Sequence, residues 1–151
     1  GMKTCALRYF NVFGPRQDPK SHYAAVVPKF CTALLAGESP LIFGDGGQTR
    51  DFTFIDDIVD ANIAAAERGV AGRVYNIGGG SRVSLNHVLE LIGRVAGRQP
   101  IIAREAAQKG DMRHTYADTE LARTELAFSP AYDLERGLAA EHAWLSGILA
   151  S

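Results

Sequence analysis

The sequence predicts an α/β protein in which short strands alternate with helices. Three observations carry that prediction. Thr4 to Phe13 is a strand-like run, apolar on both faces near its start, as in parallel sheets covered by helices. Leu41 to Asp57 reads as strand, glycine turn, arginine, second apolar run and capped helix. Arg73 to Ile77 is a second strong strand, and a helical pattern follows it after three glycines.

The elements follow in order. Gly14 to Pro19 ends the first strand with strong breaker chemistry. His22 to Leu35 carries apolar residues at helical spacing, with Pro28 in its first turn or at a kink. Gly37 closes that helix, and Pro40 follows. Leu41, Ile42 and Phe43 are the next strand. Asp56 or Asp57 is expected to cap a helix from Ile58 to Arg68, ended by Gly69. Ser84 is expected to cap the helix that carries Leu85, Val88, Leu89, Ile92 and Val95, with Glu90 and Arg94 as an i,i+4 pair. Gln99 to Ile102 is extended, and Ala106 to Thr115 is polar and irregular. Asp118 and Asp133 are placed to cap the last two helices, on either side of the Phe128-Ser129-Pro130 break. His142 and Trp144 lie on the last helix, where packing is their expected role.

Composition narrows the class. The chain has 151 residues, 46% hydrophobic and 22% charged, as in a soluble globular domain. Residues 2–151 show no internal repeat, low-complexity tract or linker and read as one unit. The net charge of −1 gives no reason to expect nucleic acid or an anionic membrane as partner. No apolar run approaches the roughly 20 residues that span a bilayer, and no secretion signal is recognisable. A cytoplasmic location is therefore expected. Cys5 and Cys31 read as free thiols in apolar surroundings. The two cysteines and four histidines form no metal-ligand spacing.

The chemistry concentrates in Gly44 to Asp57. Glycines and an aspartate make a turn that can approach a ligand closely. Arg50 then offers a permanent cation with a planar fork of donors suited to phosphate. The alternative is a hairpin with a surface arginine. Asn11 stands at the C-terminal end of its strand, where open α/β sheets place ligands, or serves as a turn residue bonding its own backbone. Gly78-Gly79-Gly80 follows a strand, but without G-x-G-x-x-G spacing, so a turn leading to Ser84 suffices.

Several motifs in one order carry a family resemblance. They are Leu7 to Pro19, Tyr23 to Phe30, Phe43-Gly44-Asp45-Gly46 with Gln48 to Phe52, Tyr75 to Gly78, and Gly110-Asp111 followed by Ala117-Asp118. Together they resemble the NAD-dependent nucleotide-sugar epimerases and dehydratases, the extended short-chain dehydrogenases/reductases. The detail is most similar to UDP-glucose and UDP-N-acetylglucosamine 4-epimerases. The resemblance implies the C-terminal part of a Rossmann-type enzyme, with few short strands and several helices.

The family's glycine-rich NAD loop and Tyr-x-x-x-Lys pair have no counterpart here. Tyr9, Tyr23, Tyr75, Tyr116 and Tyr132 are followed four residues later by Phe13, Val27, Gly79, Glu120 and Arg136. The likeness is thus to the substrate-binding half alone, and no catalytic residue is expected in this chain. NAD is implied for the whole enzyme and none for this chain by itself.

By resemblance, Phe10 would lie near the nicotinamide and Asn11 would touch the sugar diphosphate. Ala25 and Val26 would border the nucleotide sugar, while Leu41 and Phe43 would hold the uracil. Arg50 would bind the diphosphate, and Asp111 would contact the ribose or an adjoining loop. Gln108 stands where the family commonly has arginine, with Lys109 beside it, which removes one bidentate phosphate contact. Two functions are compatible with this pattern. One is the UDP-sugar-binding half of a 4-epimerase, inactive alone. The other is a stand-alone, non-catalytic nucleotide-sugar-binding or scaffolding domain. The first strand, lacking neighbours on one side, is expected to join copies into a homodimer or larger species.

Overall fold

A computed structural model describes residues 1–18, 25–107, 110 and 112–149. The run from Thr4 to Phe13 is not one strand. It divides into β1 (Ala6–Tyr9) and β2 (Val12–Phe13). The break is at Asn11, whose φ of 38° lies in the left-handed region that asparagine tolerates better than most residues. Nor is the run buried on both faces: Ala6, Arg8 and Tyr9 are exposed.

Two further strands take up the two halves of this broken run. β1 pairs in parallel with β6 (Val74–Ile77), Ala6 opposite Val74 and Tyr9 opposite Ile77. β2 pairs in parallel with β5 (Thr53–Phe54). β3 (Leu41–Phe43) lies parallel to β8 (Ala103–Glu105). The sequence places the extended piece at Gln99 to Ile102; β8 begins one residue later, where backbone pairing with β3 is available. β4 (Thr49–Arg50) runs antiparallel to β7 (Val83–Ser84).

Helix α1 (Val26–Ala36) begins well after His22, which lies outside the described residues. Pro28 falls in its first turn, where the missing N–H has no intrahelical partner to lose. Gly37, at φ 78°, ends it: the Gly37 amide donates to the Leu34 carbonyl (3.1 Å) and the Glu38 amide to that of Ala33 (2.8 Å). Helix α2 (Ile55–Arg68) starts three residues before the expected Ile58, so neither Asp56 nor Asp57 stands where it could cap it. Asp57 is instead buried in the first turn and accepts from the amides of Ala131 (2.7 Å) and Tyr132 (3.4 Å), tying α2 to the approach of the last helix.

The Ser84 cap on α3 (Leu85–Val95) is present, with its Oγ accepting from the His87 amide at 3.2 Å. The expected Glu90–Arg94 pair is not the one formed. Glu90 meets His87 at 3.1 Å, and Arg94 reaches Glu135 on the last helix at 3.5 Å. Exposed pairs differ little in energy, so local rotamers decide between them. Asp118 accepts from the Glu120 amide (3.1 Å) at the start of α4 (Glu120–Leu126). Asp133 accepts from the Arg136 amide (2.7 Å) at the start of α5 (Leu134–Leu149).

Two apolar clusters result. The larger joins α1, α3 and α5 over β3 and the aromatic strands, with Val27, Phe30, Leu34, Ile42, Val88, Leu89, Leu138 and Leu145 at its centre. Phe13 meets Phe54 edge-on at 5.6 Å between centroids, and Tyr132 lies 4.4 Å from Phe54. Gly137 lets α5 approach that group, since a Cβ there would stand 2.7 Å from the Phe13 ring. Trp144 packs against the same core, as expected of it. The smaller cluster holds Ile58, Ala61, Tyr75, Ile77, Leu126 and Phe128 between α2, β6 and α4. Cys31 is buried and Cys5 partly so; both are free thiols.

Candidate functional site

The kink at Asn11 is the hinge of the site. Its Nδ2 donates to the Asp51 carbonyl at 2.8 Å. Beside it the Thr53 hydroxyl donates to the Phe10 carbonyl at 2.7 Å. Two side chains on β-strand ends thus fasten the Phe10–Asn11 corner to the Arg50–Thr53 segment. Bonding of Asn11 to a distant backbone replaces the self-bonded turn that its residue type also allows.

The turn from Gly44 to Gly47 shows why three glycines stand there. Gly44 and Gly46 have φ of 78° and 74°. A Cβ on Gly46 would fall 2.2 Å from Asn86 Oδ1, so side-chain bulk is excluded as well. Asn86 Nδ2 donates to the Asp45 carbonyl (3.0 Å), and Arg104 reaches the Gly44 carbonyl (3.4 Å) and Asn86 Oδ1 (3.2 Å). Gln48, almost wholly buried, donates from Nε2 to the Phe43 carbonyl at 2.9 Å and so joins the turn to β3. Phe43 itself is half-buried, and Leu41 is 38% exposed. An exposed leucine beside a half-buried phenylalanine gives this edge an apolar surface.

Arg50 lies half-buried on β4. Its Nη1 donates to the Thr49 carbonyl (2.9 Å) and makes a longer contact of 3.5 Å with the Arg113 carbonyl. Arg113 in turn grips Asp45 with both terminal nitrogens, at 2.7 and 2.8 Å. That hydrogen-bonded pairing, with the Gly47 amide, holds the Asp45 carboxyl well below the usual carboxylate range.

Asp51, next to Arg50, is fully buried. Burial pushes its carboxyl upward, and the amides of Ala117, Gly79, Ser81 and Gly80 offset part of that shift. Oδ2 accepts from the Ala117 amide at 3.2 Å, while Oδ1 makes no hydrogen bond of good geometry among the described residues. Two of the three glycines after β6, Gly78 and Gly79, are therefore explained by packing, and Gly80 by its φ of 78°. A Cβ on Gly78 would sit 2.6 Å from Asp51 Oδ2, and one on Gly79 would meet the Phe52 carbonyl. The carboxylate of the chain itself faces these amides, so the loop is no cradle for a dinucleotide phosphate.

The expected site residues thus divide. Phe10 and Asn11 are fastened to Thr53 and Asp51, in the segment that Arg50 precedes, and Gln48 of the same segment joins Phe43 on β3, the strand that also carries Leu41. Val26 packs against the helical core, and Ala25 precedes it, half-buried, as the residue before α1. Gln108 and Asp111 lie outside the described residues. Asp45, which the sequence marks as a turn residue, and Gln48, Arg104 and Arg113, which it does not mark as site residues, complete the surroundings of Arg50. Asp45 and Gln48 stand inside the motif around Arg50, and their polar character in a glycine turn was the available signal. Arg104 and Arg113 are distant in sequence and gave none. A groove of about 960 Å³ runs along α3 and β8 and takes in Asn86, Arg94, Arg98 and Arg104 but none of the expected site residues.

Comparison with known proteins identifies the class to which this fold and corner belong. The chain is a member of the NAD dependent epimerase/dehydratase family, whose sequence pattern matches residues 1–78. It is 39% identical over 129 residues to UDP-glucose 4-epimerase of Mycolicibacterium smegmatis, covering 85% of this chain and 41% of that protein. Among solved structures it resembles UDP-N-acetylglucosamine 4-epimerase of Methanobrevibacter ruminantium in complex with UDP-N-acetylmuramic acid. The TM-score is 0.92 at 40% identity, over 97% of this chain and 47% of that one. It also resembles UDP-glucuronic acid 4-epimerase of Bacillus cereus in complex with UDP-glucuronic acid and NAD. There the TM-score is 0.87 at 35% identity, over 94% of this chain and 45% of that one. The chain spans less than half the length of the curated relatives it matches. Its α/β architecture is accordingly that of part of a Rossmann-type epimerase.

Proposed function

We propose that this chain binds the nucleotide portion of a UDP-sugar, as the C-terminal half of an NAD-dependent UDP-glucose or UDP-N-acetylglucosamine 4-epimerase. One observation carries the reading: Arg50, on β4, is held by the main-chain carbonyls of Thr49 and Arg113, one residue before Asp51, whose carbonyl binds Asn11, and two after Gln48, which binds Phe43. A guanidinium fixed in this way suits a diphosphate, and an adjoining apolar edge with backbone groups suits a flat base. Relatives seen with UDP-sugars support the same assignment.

Residues 2–151 form the nucleotide-sugar-binding domain in this proposal, and an N-terminal NAD-binding domain completes the enzyme. The chain alone binds no NAD and moves no hydride, because the family's proton-transfer pair and dinucleotide loop are not among its residues. We also propose a cytoplasmic location and a homodimer or larger species joined through residues 4–13. β1 supports the latter: among the described residues it pairs with β6, and Ala6, Arg8 and Tyr9 on it are exposed. No helix among the described residues is long and apolar enough to cross a membrane.

Calorimetric titration with UDP tests the site. A charge-assisted contact to phosphate contributes about 1.5–3 kcal/mol, so Arg50→Ala weakens binding by about tenfold or more. Equal affinity for the two proteins would remove Arg50 from the site.

A further inference from the structure

We propose that Arg113 is a positioning residue for Arg50: with Asp45 it forms a clamp that sets the plane of the anion-binding guanidinium. The functional meaning rests on the reading of Arg50 as the diphosphate ligand; the geometry stands apart from it.

Arg113 is fixed at both of its ends. Its side chain holds Asp45 by two near-parallel hydrogen bonds of 2.7 and 2.8 Å. Asp45 is itself pinned, its Oδ1 by the Gly47 amide (2.8 Å) and its carbonyl by Asn86 (3.0 Å). At the other end, the Arg113 carbonyl accepts from the Thr49 amide at 2.9 Å. The Thr115 amide donates to the Thr49 carbonyl at 3.1 Å, and Thr49 Oγ1 meets His114 Nδ1 at 2.8 Å. Residues 113–115 thus lie along β4 on the edge opposite β7.

This arrangement places two carbonyls, those of Thr49 and Arg113, before a single nitrogen of Arg50. Two acceptors on Nη1 bear on the guanidinium plane, and the longer of the two contacts is delivered by the clamped residue. Both side chains of the clamp are more than half exposed, so the ion pair adds little to global stability. Its bidentate geometry orders a segment, which is the service that a paired fork and carboxylate perform best. The same pairing lowers the Asp45 carboxyl and so favours the ionised form that Arg113 grips.

The test compares the wild type, Arg50→Ala, Arg113→Ala, Asp45→Ala, the double variant R50A/R113A and the charge-swapped D45R/R113D. Each is titrated with UDP and unfolded in urea. The expected result is a roughly fivefold loss of UDP affinity for Arg113→Ala and for Asp45→Ala, with urea midpoints near that of the wild type. The double variant binds no more weakly than Arg50→Ala, because Arg113 acts through Arg50. The charge swap recovers part of the loss. Affinity of Arg113→Ala within twofold of wild type, or an additive loss in the double variant, overturns the proposal. If wild-type protein does not bind UDP, the nucleotide reading fails, and the side-chain Nε resonance of Arg50 in the ligand-free protein decides the clamp. That resonance moves in both Arg113→Ala and Asp45→Ala if Arg113 orients Arg50; an unmoved resonance overturns the clamp.

Discussion

Asp51 accepts a hydrogen bond from the Ala117 amide at 3.2 Å, across 66 positions of sequence, with no solvent exposure of its own. The contact locks the segment that carries Arg50 to the stretch entering α4, and Gly78 packs against both residues. Asp51→Ala leaves the Ala117 amide without its acceptor and opens a void. We expect a loss of about 2–3 kcal/mol, read as a lower urea midpoint. Asp51→Asn keeps the volume and one acceptor and should lose less. Equal stability of Asp51→Ala and wild type would mean that solvent or a neighbouring group replaces the carboxylate.

Glu141 gives a pH-dependent prediction. It is fully buried on α5, neither carboxylate oxygen has a hydrogen-bond partner among the described residues, and burial pushes its pKa up to about 7. An unfolded glutamate titrates near 4.3, so between about pH 4.3 and 7 the folded state binds the extra proton. Stability from this group therefore falls as pH rises through that window, and its penalty is complete above it. Glu141→Leu should stabilise the protein by about 1–3 kcal/mol at pH 8 and by less at pH 5, measured by thermal unfolding at both. A gain that does not change with pH would show that the carboxyl does not titrate in the window. Cys31 reports on the same region, because its thiol is pushed up to about 12 by burial and then by Glu141.

Catalysis is expected to be absent. The chain should give no turnover of UDP-glucose, UDP-galactose or their N-acetyl forms, with or without NAD, in a coupled assay. Turnover above the no-enzyme control, abolished by a substitution within this chain, would overturn the assignment of catalysis to another segment.

Association should be visible at micromolar concentration. The outer edge of β1, which pairs with no strand but β6 among the described residues, is a template for another strand, and a two-fold dimer satisfies both copies with one interface. Sedimentation equilibrium should give a mass above the 16.3 kDa of one chain. A monomer that does not associate on concentrating would show that the edge is covered in some other way.

Much of the fold was legible because its signals are local. Pro28 in the first turn, Gly37 after the last, Ser84 before α3 and Asp133 before α5 act within a few residues of themselves. Their backbone consequences follow from φ limits and capping alone. The run around Arg50 was likewise marked by its glycines, since few other residues adopt φ near +75° without strain. Tertiary structure decided what local chemistry leaves degenerate. An aspartate near a helix start can cap it or bond elsewhere, and Asp57 went to Ala131 because the chain folds back there. A ten-residue apolar run can be one strand or two, and the partners β6 and β5 divided it at Asn11. A charged residue can lie anywhere on a surface. Only the meeting of segments 68 residues apart makes Arg113 and Asp45 a pair, and no spacing in the sequence encodes a hydrogen bond between them.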